Sequence, residues 1–269
     1  MTFIASMPMY DPPEERETVD LSWQRVRDAL RLRGIAAPER LVRRNADLPA
    51  VPGGIRDVAG NIIAPDPATL PPEELDLHTL WRHPDLLFGE TCWGPLDQGL
   101  RPFVHVIAQN SYSGVPGGEG ILYRSALITR SEAQRPAPVP SDTPVMPDLA
   151  GKHFAFNTLD SRSGYLSVER DLHAQGASMR AFSHTTPTGS HLTSLRMVAA
   201  NEADIAAIDC KSWAMAQRHH PSLSAKLHVA GWTAPSTGLP FICSVHLPEA
   251  IRRSVTDVAR AIFLPPARC

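Results

Sequence analysis

The run "NTLDSRSGYLSVERDL", Asn157 to Leu172, places Ser161, Arg162, Ser163 and Gly164 between an apolar stretch and an amphipathic one. Two hydroxyls and a glycine at such a junction can hold an anion. Serine donates and accepts hydrogen bonds, and the first N–H groups of a helix have no partner within it. The positive end of the helix dipole adds to the attraction. The alternative is that the serines only cap a helix. A second junction, "TGSHLTSL", offers Ser190 as a cap followed by His191, either a ligand group or a surface histidine. A third, "IAAIDCKSW", ends an apolar run on Asp209, which either meets a ligand or caps the next helix. Tyr10 and Trp93 lie beside other turns, as pocket walls or as core aromatics.

The elements that must position these residues are legible in outline. In "GKHFAFN", His153, Ala155 and Asn157 alternate with Phe154 and Phe156, a strand pattern. Tyr165, Leu166, Val168 and Leu172 then recur at helical spacing, with Ser161 or Ser163 as the natural cap. "FIASMPMY", "DLLFGE", "FVHVIAQ", "GILYRSALITR", "MRAFSHT", "ADIAAID", "LHVAGW" and "LPFICSV" read as strands. "ERETVDLSWQRVRDALRLRG", the run from Ser190 to Asn201 and the closing "PEAIRRSVTDVARAIFL" read as helices. This alternation predicts an α/β fold with mostly parallel sheets, restarting after about residue 150 as a second domain.

Composition narrows the function. With 269 residues, 43% hydrophobic and 20% charged, the chain has the make-up of an ordinary globule. A net charge of −2 gives nucleic acid no electrostatic footprint. Cys92, Cys210, Cys243 and Cys269 are not spaced for zinc or for a CxxC centre, so no metal or cofactor is expected. No apolar run is long enough to span a membrane. "MTFIASMPMYDPP" lacks the basic start and long apolar core of a signal peptide. GxSxG, HExxH, the Walker A sequence and a full GxGxxG are absent.

"DLAGKHFAFNTLDSRSGYLSVERDL", "TGSHLTSLRMVAANEADIAAIDCKSWA", "GWTAPSTGLPFI" and "LWRHPDLLFGETCWGPL" together resemble the phosphate/phosphonate-type solute-binding proteins of ABC transporters. The resemblance implies a two-lobed type II periplasmic-binding-protein fold with a ligand cleft between the lobes. It places one lobe at residues 1–120 plus 225–269 and the other at 121–224. It implies that Ser161, Arg162, Ser163 and Gly164, with His191 and Asp209, hold a small phosphorus oxyanion. Tyr10, Thr91, Trp93 and Ser125 complete the expected ligand set. It further implies a monomer that partners an ABC permease in the periplasm, although the missing signal peptide leaves the cytoplasm open. Three positions depart from the family's pattern. Arg162 stands where a small hydroxyl residue is common, Trp93 where glycine is common, and Gly118 where many relatives carry a cysteine that could partner Cys92. The alternatives are an enzyme on the same fold, using Cys92, Cys210 or a histidine, and a cytosolic anion sensor.

Overall fold

The computed structural model of the protein describes residues 2–131 and 136–263. Cys269 and the expected last residue of the closing helix, Leu264, lie outside the described residues. The strands are β1 (Ile4–Ser6), β2 (Ile55–Arg56), β3 (Ile62–Ala64), β4 (Leu86–Glu90), β5 (Val104–Gln109), β6 (Gly118–Glu119), β7 (Leu122–Tyr123), β8 (Ser125–Arg130), β9 (His153–Phe156), β10 (His184–Pro187), β11 (Ile205–Asp209), β12 (Leu227–Trp232), β13 (Ser236–Thr237) and β14 (Pro240–Ser244). The helices are α1 (Arg16–Arg31), α2 (Leu77–Arg82), α3 (Trp93–Pro95), α4 (Ser167–Ala174), α5 (His191–Ala199), α6 (Cys210–His219), α7 (Pro221–Ser224) and α8 (Glu249–Phe263).

The described residues form two α/β units, in keeping with the expected fold class. The first comprises the residues up to Asn110 and those from Leu239 onward; the second is Ser111–Gly238. The breaks read from sequence, after 120 and after 224, both fall inside the second unit. Pairing explains why: β6, β7 and β13 form one small sheet, which keeps both ends of the second segment together.

In the first unit the sheet order is β1-β4-β14-β5. Helix α1 buries Val19, Trp23, Val26 and Leu30, a stripe at helical spacing, against Phe88 and Phe241 of the sheet. It stops where Gly34 takes a φ of 75°, a conformation that favours glycine. The opposite face of the sheet packs Leu86 and Ile242 on Leu80 and Trp81 of α2. His83 is fully buried behind α2. Its Nε2 lies 3.1 Å from the Pro49 carbonyl, and its Nδ1 accepts from the Asp85 N–H at 3.2 Å. That pairing fits only a neutral ring, and burial holds the pKa of His83 below its ordinary value.

In the second unit the sheet order is β10-β9-β11-β8-β12. The first three strands are parallel, while β8 runs antiparallel to both its neighbours. Both main sheets are therefore mixed rather than mostly parallel. Two further readings are corrected. "GILYRSALITR" is not one strand, because Leu122–Tyr123 and Ser125–Arg130 join different sheets on either side of buried Arg124. "MRAFSHT" is a 3₁₀ turn at Met179–Ala181 followed by β10, with Ser178 capping the turn. Phe154, Phe156, Val168, Leu172, Phe182 and Ile205 form the core that fixes β9 and β11 against α4.

Candidate functional site

Strands β9 and β11 run parallel and end on the same edge, where open α/β sheets place their ligands. After β9 the chain turns at Asn157 and enters a helix whose first turn, Arg162–Leu166, is wound wider than α. The Ser161 carbonyl accepts from both Tyr165 N–H, at 3.2 Å, and Leu166 N–H, at 3.0 Å. The Ser161 hydroxyl caps this start by accepting from Gly164 N–H at 3.0 Å. The helix then continues as α4, and Ser167 ties it back by donating to the Ser163 carbonyl at 3.0 Å. Helix α5 begins after Ser190, whose hydroxyl accepts from Thr193 N–H at 3.1 Å. Helix α6 begins after Asp209, whose Oδ1 accepts from Lys211 N–H at 3.1 Å and Ser212 N–H at 2.9 Å.

These three helix starts meet through their side chains. Ser163 Oγ lies 3.0 Å from His191 Nε2, and Asp209 Oδ2 lies 3.3 Å from the same nitrogen. Ser161 Oγ is 3.4 Å from Ser163 Oγ. Ser161, Ser163 and Asp209 are buried, and the His191 side chain is 16% exposed. The structure thus brings Ser161, Ser163, Gly164, His191 and Asp209 into one cluster, with Arg162 half-buried at the first helical position. Ser125 joins from β8, directly opposite Asp209 in the strand register. Its hydroxyl is buried and has no hydrogen-bond partner in the protein. Asp209 is a cap, as one sequence reading had it, and also a neighbour of the histidine.

Tyr10, Thr91 and Trp93 belong to the first unit. Tyr10 closes a 3₁₀ turn after β1 and is buried. Thr91 follows β4 with its hydroxyl buried and unpartnered. Trp93 carries the Arg101 guanidinium over its ring at 5.2 Å. The turn holding Tyr10 is pinned by two carboxylates. Asp11 takes a bidentate contact from Arg43, and Glu90 Oε2 accepts from Met9 N–H at 3.1 Å.

Two residues of consequence escaped the sequence reading. Asn157 lies under the helix start, with its Oδ1 where a side chain on Gly164 would have to sit. Its signal was position alone, the first residue past a strand. Glu90 is a buried carboxylate at the end of an apolar strand, and it also accepts from the Asn110 side-chain amide. An acid inside "LLFGE" is the visible clue, since such a group needs partners.

The chemistry open to this cluster follows from its geometry. A serine–histidine–aspartate relay needs the serine on one ring nitrogen and the carboxylate on the other. Here both lie nearest Nε2. Burial also pushes the Cys210 thiol up to about 12, helped by the charge of Asp209. A thiol so shifted is a poor nucleophile.

Burial holds the pKa of His191 below its ordinary value, against the opposing pull of Asp209 and of a hydrogen bond to the Ala207 carbonyl. The folded protein therefore takes up a proton at His191 and His83 less readily than the unfolded chain, where each is protonated below the ordinary value of 6.5. Stability from this source is present above that value and is lost as pH falls from it toward the depressed folded pKa. Thermal melts are expected to show a lower Tm at pH about 5.5 than at about 7.5. An unchanged or higher Tm at the acid pH would contradict the depressed values.

The chain matches the family model of the ABC-transporter phosphonate periplasmic substrate-binding protein over residues 97–262, more than half its length. No curated protein matches it in sequence. Among solved structures it is similar to PhnD1 from Prochlorococcus marinus in complex with methylphosphonate. That likeness has a TM-score of 0.63 at 14% identity and covers 95% of this chain and 82% of the other. A Xanthomonas citri protein bound to ATP is similar with a TM-score of 0.59 at 13% identity, covering 95% and 81%. A binding protein component of an ABC phosphonate transporter from Pseudomonas aeruginosa gives 0.55 at 14%, covering 97% and 77%. At these identities the structural likenesses establish the fold.

Proposed function

The chain belongs to the periplasmic phosphonate substrate-binding proteins of ABC transporters, and from that premise we propose that its ligand is a small phosphorus oxyanion, phosphate, phosphite or an alkylphosphonate. A binding role, a periplasmic setting and a permease partner come with the family. Among the described residues no helix is long and apolar enough to cross a membrane. The observation that carries the proposal is the meeting of three helix starts at Ser163, His191 and Asp209. The N–H groups at these starts that the Ser161, Ser190 and Asp209 caps do not take, with the two serine hydroxyls, supply donors in a region of favourable potential.

The magnitudes suit a binder. Two or three hydrogen bonds to a charged group contribute roughly 1.5–3 kcal/mol each, and a helix terminus roughly 0.3–1 kcal/mol. Together they approach the ~8 kcal/mol of a micromolar site before ordering and desolvation costs. Asp209 accepts hydrogen bonds and donates none, so a ligand oxygen that keeps a proton suits the site better than sulfate. A phosphate-type group, with a second pKa of about 6, retains that proton in part near neutral pH.

Titration calorimetry with phosphate, phosphite, methylphosphonate and sulfate tests this reading. The phosphorus oxyanions are expected to bind and sulfate to bind more weakly. Ser161→Ala and Ser163→Ala are each expected to weaken binding by roughly 1–3 kcal/mol. Wild-type affinity in both variants would remove these serines from the site. The relative bound to ATP puts a larger phosphate ester on the same panel; preferential binding of ATP would replace the small-anion reading.

A further inference from the structure

Strand β12 runs out into Thr233–Ser236, a short segment held between β8 and α4. On one side Thr233, 1% exposed, locks onto Ser125. Its hydroxyl accepts from Ser125 N–H at 2.9 Å, and its own N–H donates to the Ser125 carbonyl at 3.0 Å. On the other side the next residues are gripped by one turn of α4. Asp171 Oδ2 accepts from Ala234 N–H at 2.8 Å. Arg170 donates to the Ala234 carbonyl at 2.8 Å, to the Pro235 carbonyl at 3.2 Å and to Ser236 Oγ at 2.8 Å. Its Nε donates to Asp171 Oδ1 at 2.7 Å, so each oxygen of this buried carboxylate has a donor.

Both ends of the segment lead to candidate ligand groups. Asp171 lies one turn beyond Ser167, whose hydroxyl ties the helix to the Ser163 carbonyl. Ser125 stands opposite Asp209 in the antiparallel pair of β8 and β11, and residues so placed point to one face of a sheet. Its buried hydroxyl has no hydrogen-bond partner in the protein, a cost that a ligand oxygen there would relieve. The sheet sets Ser125 against Asp209. The Thr233–Ser236 segment ties the same residue to the helix that begins at Ser161 and Ser163.

We propose that Arg170 and Asp171 are positioning residues: through Thr233–Ser236 they brace Ser125 against the start of this helix, so that one oxyanion can accept from both. Neither residue touches the ligand. The inference rests on the oxyanion reading for its effect on affinity, while the brace itself can be read without ligand.

The test uses the full chain. In the ligand-free protein, amide exchange at Ser125, Thr233 and Ala234 is followed in wild type, Arg170→Ala and Arg170→Lys. Both variants are expected to exchange these amides about tenfold faster, because each loses the fork that spans three acceptors. Unchanged exchange in Arg170→Ala overturns the brace. Methylphosphonate titrations then compare the variants with Ser125 present and in a Ser125→Ala background. With Ser125 present, Arg170→Ala is expected to cost about tenfold in affinity. In the Ser125→Ala background the same change should cost less than about threefold, since the donor it misplaces is gone. Wild-type affinity in Arg170→Ala, or equal losses in both backgrounds, overturns the proposal. Arg170→Lys keeps the charge without the fork and should lose nearly as much as alanine. Full affinity with lysine would assign the effect to charge at a distance and overturn the proposal as well. Should Arg170→Ala fail to fold, Asp171→Asn, whose single oxygen can keep only one of the two bonds, is read in its place. Should the wild type bind none of the phosphorus oxyanions, the oxyanion reading fails, and the exchange rates still decide the brace.

Discussion

Gly164→Ala is expected to cut oxyanion binding by about a hundredfold or more and to lower stability by roughly 1–3 kcal/mol. A β-carbon at this position would lie 1.9 Å from Asn157 Oδ1 and 3.0 Å from its Cγ, with Ser161 Oγ at 3.2 Å. No real contact is that short, so either Asn157 or the helix start must move. Moving the helix start breaks the bond from Gly164 N–H to the Ser161 hydroxyl and displaces Ser163 from His191. The backbone at Gly164 is not left-handed, so the cause is space alone. A second substitution isolates that cause. Asn157→Ala removes the obstructing amide, and the double variant should recover stability relative to Gly164→Ala alone. Denaturant titration of the three variants checks this. A double variant no more stable than Gly164→Ala would mean that the amide is not the obstacle.

Glu90→Ala is expected to destabilise the first unit by roughly 3–6 kcal/mol, from two hydrogen bonds to a carboxylate at about 1.5–3 kcal/mol each. The side chain is buried at 2% exposure and accepts from Met9 N–H and from the Asn110 amide. Alanine would take away the acceptor of both donors. Glu90→Gln should cost much less, on the order of 1 kcal/mol. The glutamine oxygen can keep Met9, and its NH₂ can face an Asn110 amide turned end for end. Native-state hydrogen exchange of amides in β1 and β4 reads the effect locally. Equal losses for alanine and glutamine would show that volume, rather than hydrogen bonding, governs the position.

What the sequence revealed about these sites was local. Helix starts are set by a few adjacent residues, so Ser161, Ser190 and Asp209 could be found as caps from their neighbours. The grouping of Ser163, His191 and Asp209 needs strands brought together from far apart, and only the family's pattern carried it. Sheet order was hidden for the same reason. That β8 runs antiparallel to both β11 and β12 depends on the route of the chain between units, which periodicity does not encode. The contact between Asn157 and Gly164 was hidden more deeply, because asparagine after a strand is an ordinary turn residue.

The order β1-β4-β14-β5 has a consequence for biogenesis. β14 is a central strand, flanked by β4 and β5, yet it is made only after the whole Ser111–Gly238 segment. On the ribosome, β4 and β5 must therefore wait with their inner edges unpaired while an entire unit is synthesised. The second unit is continuous in sequence and can mature first. The first must close a loop longer than a hundred residues before its sheet exists, which makes it the slower of the two. A nascent chain halted just before Pro240 would carry one finished unit and one open half-sheet, the species most in need of a chaperone.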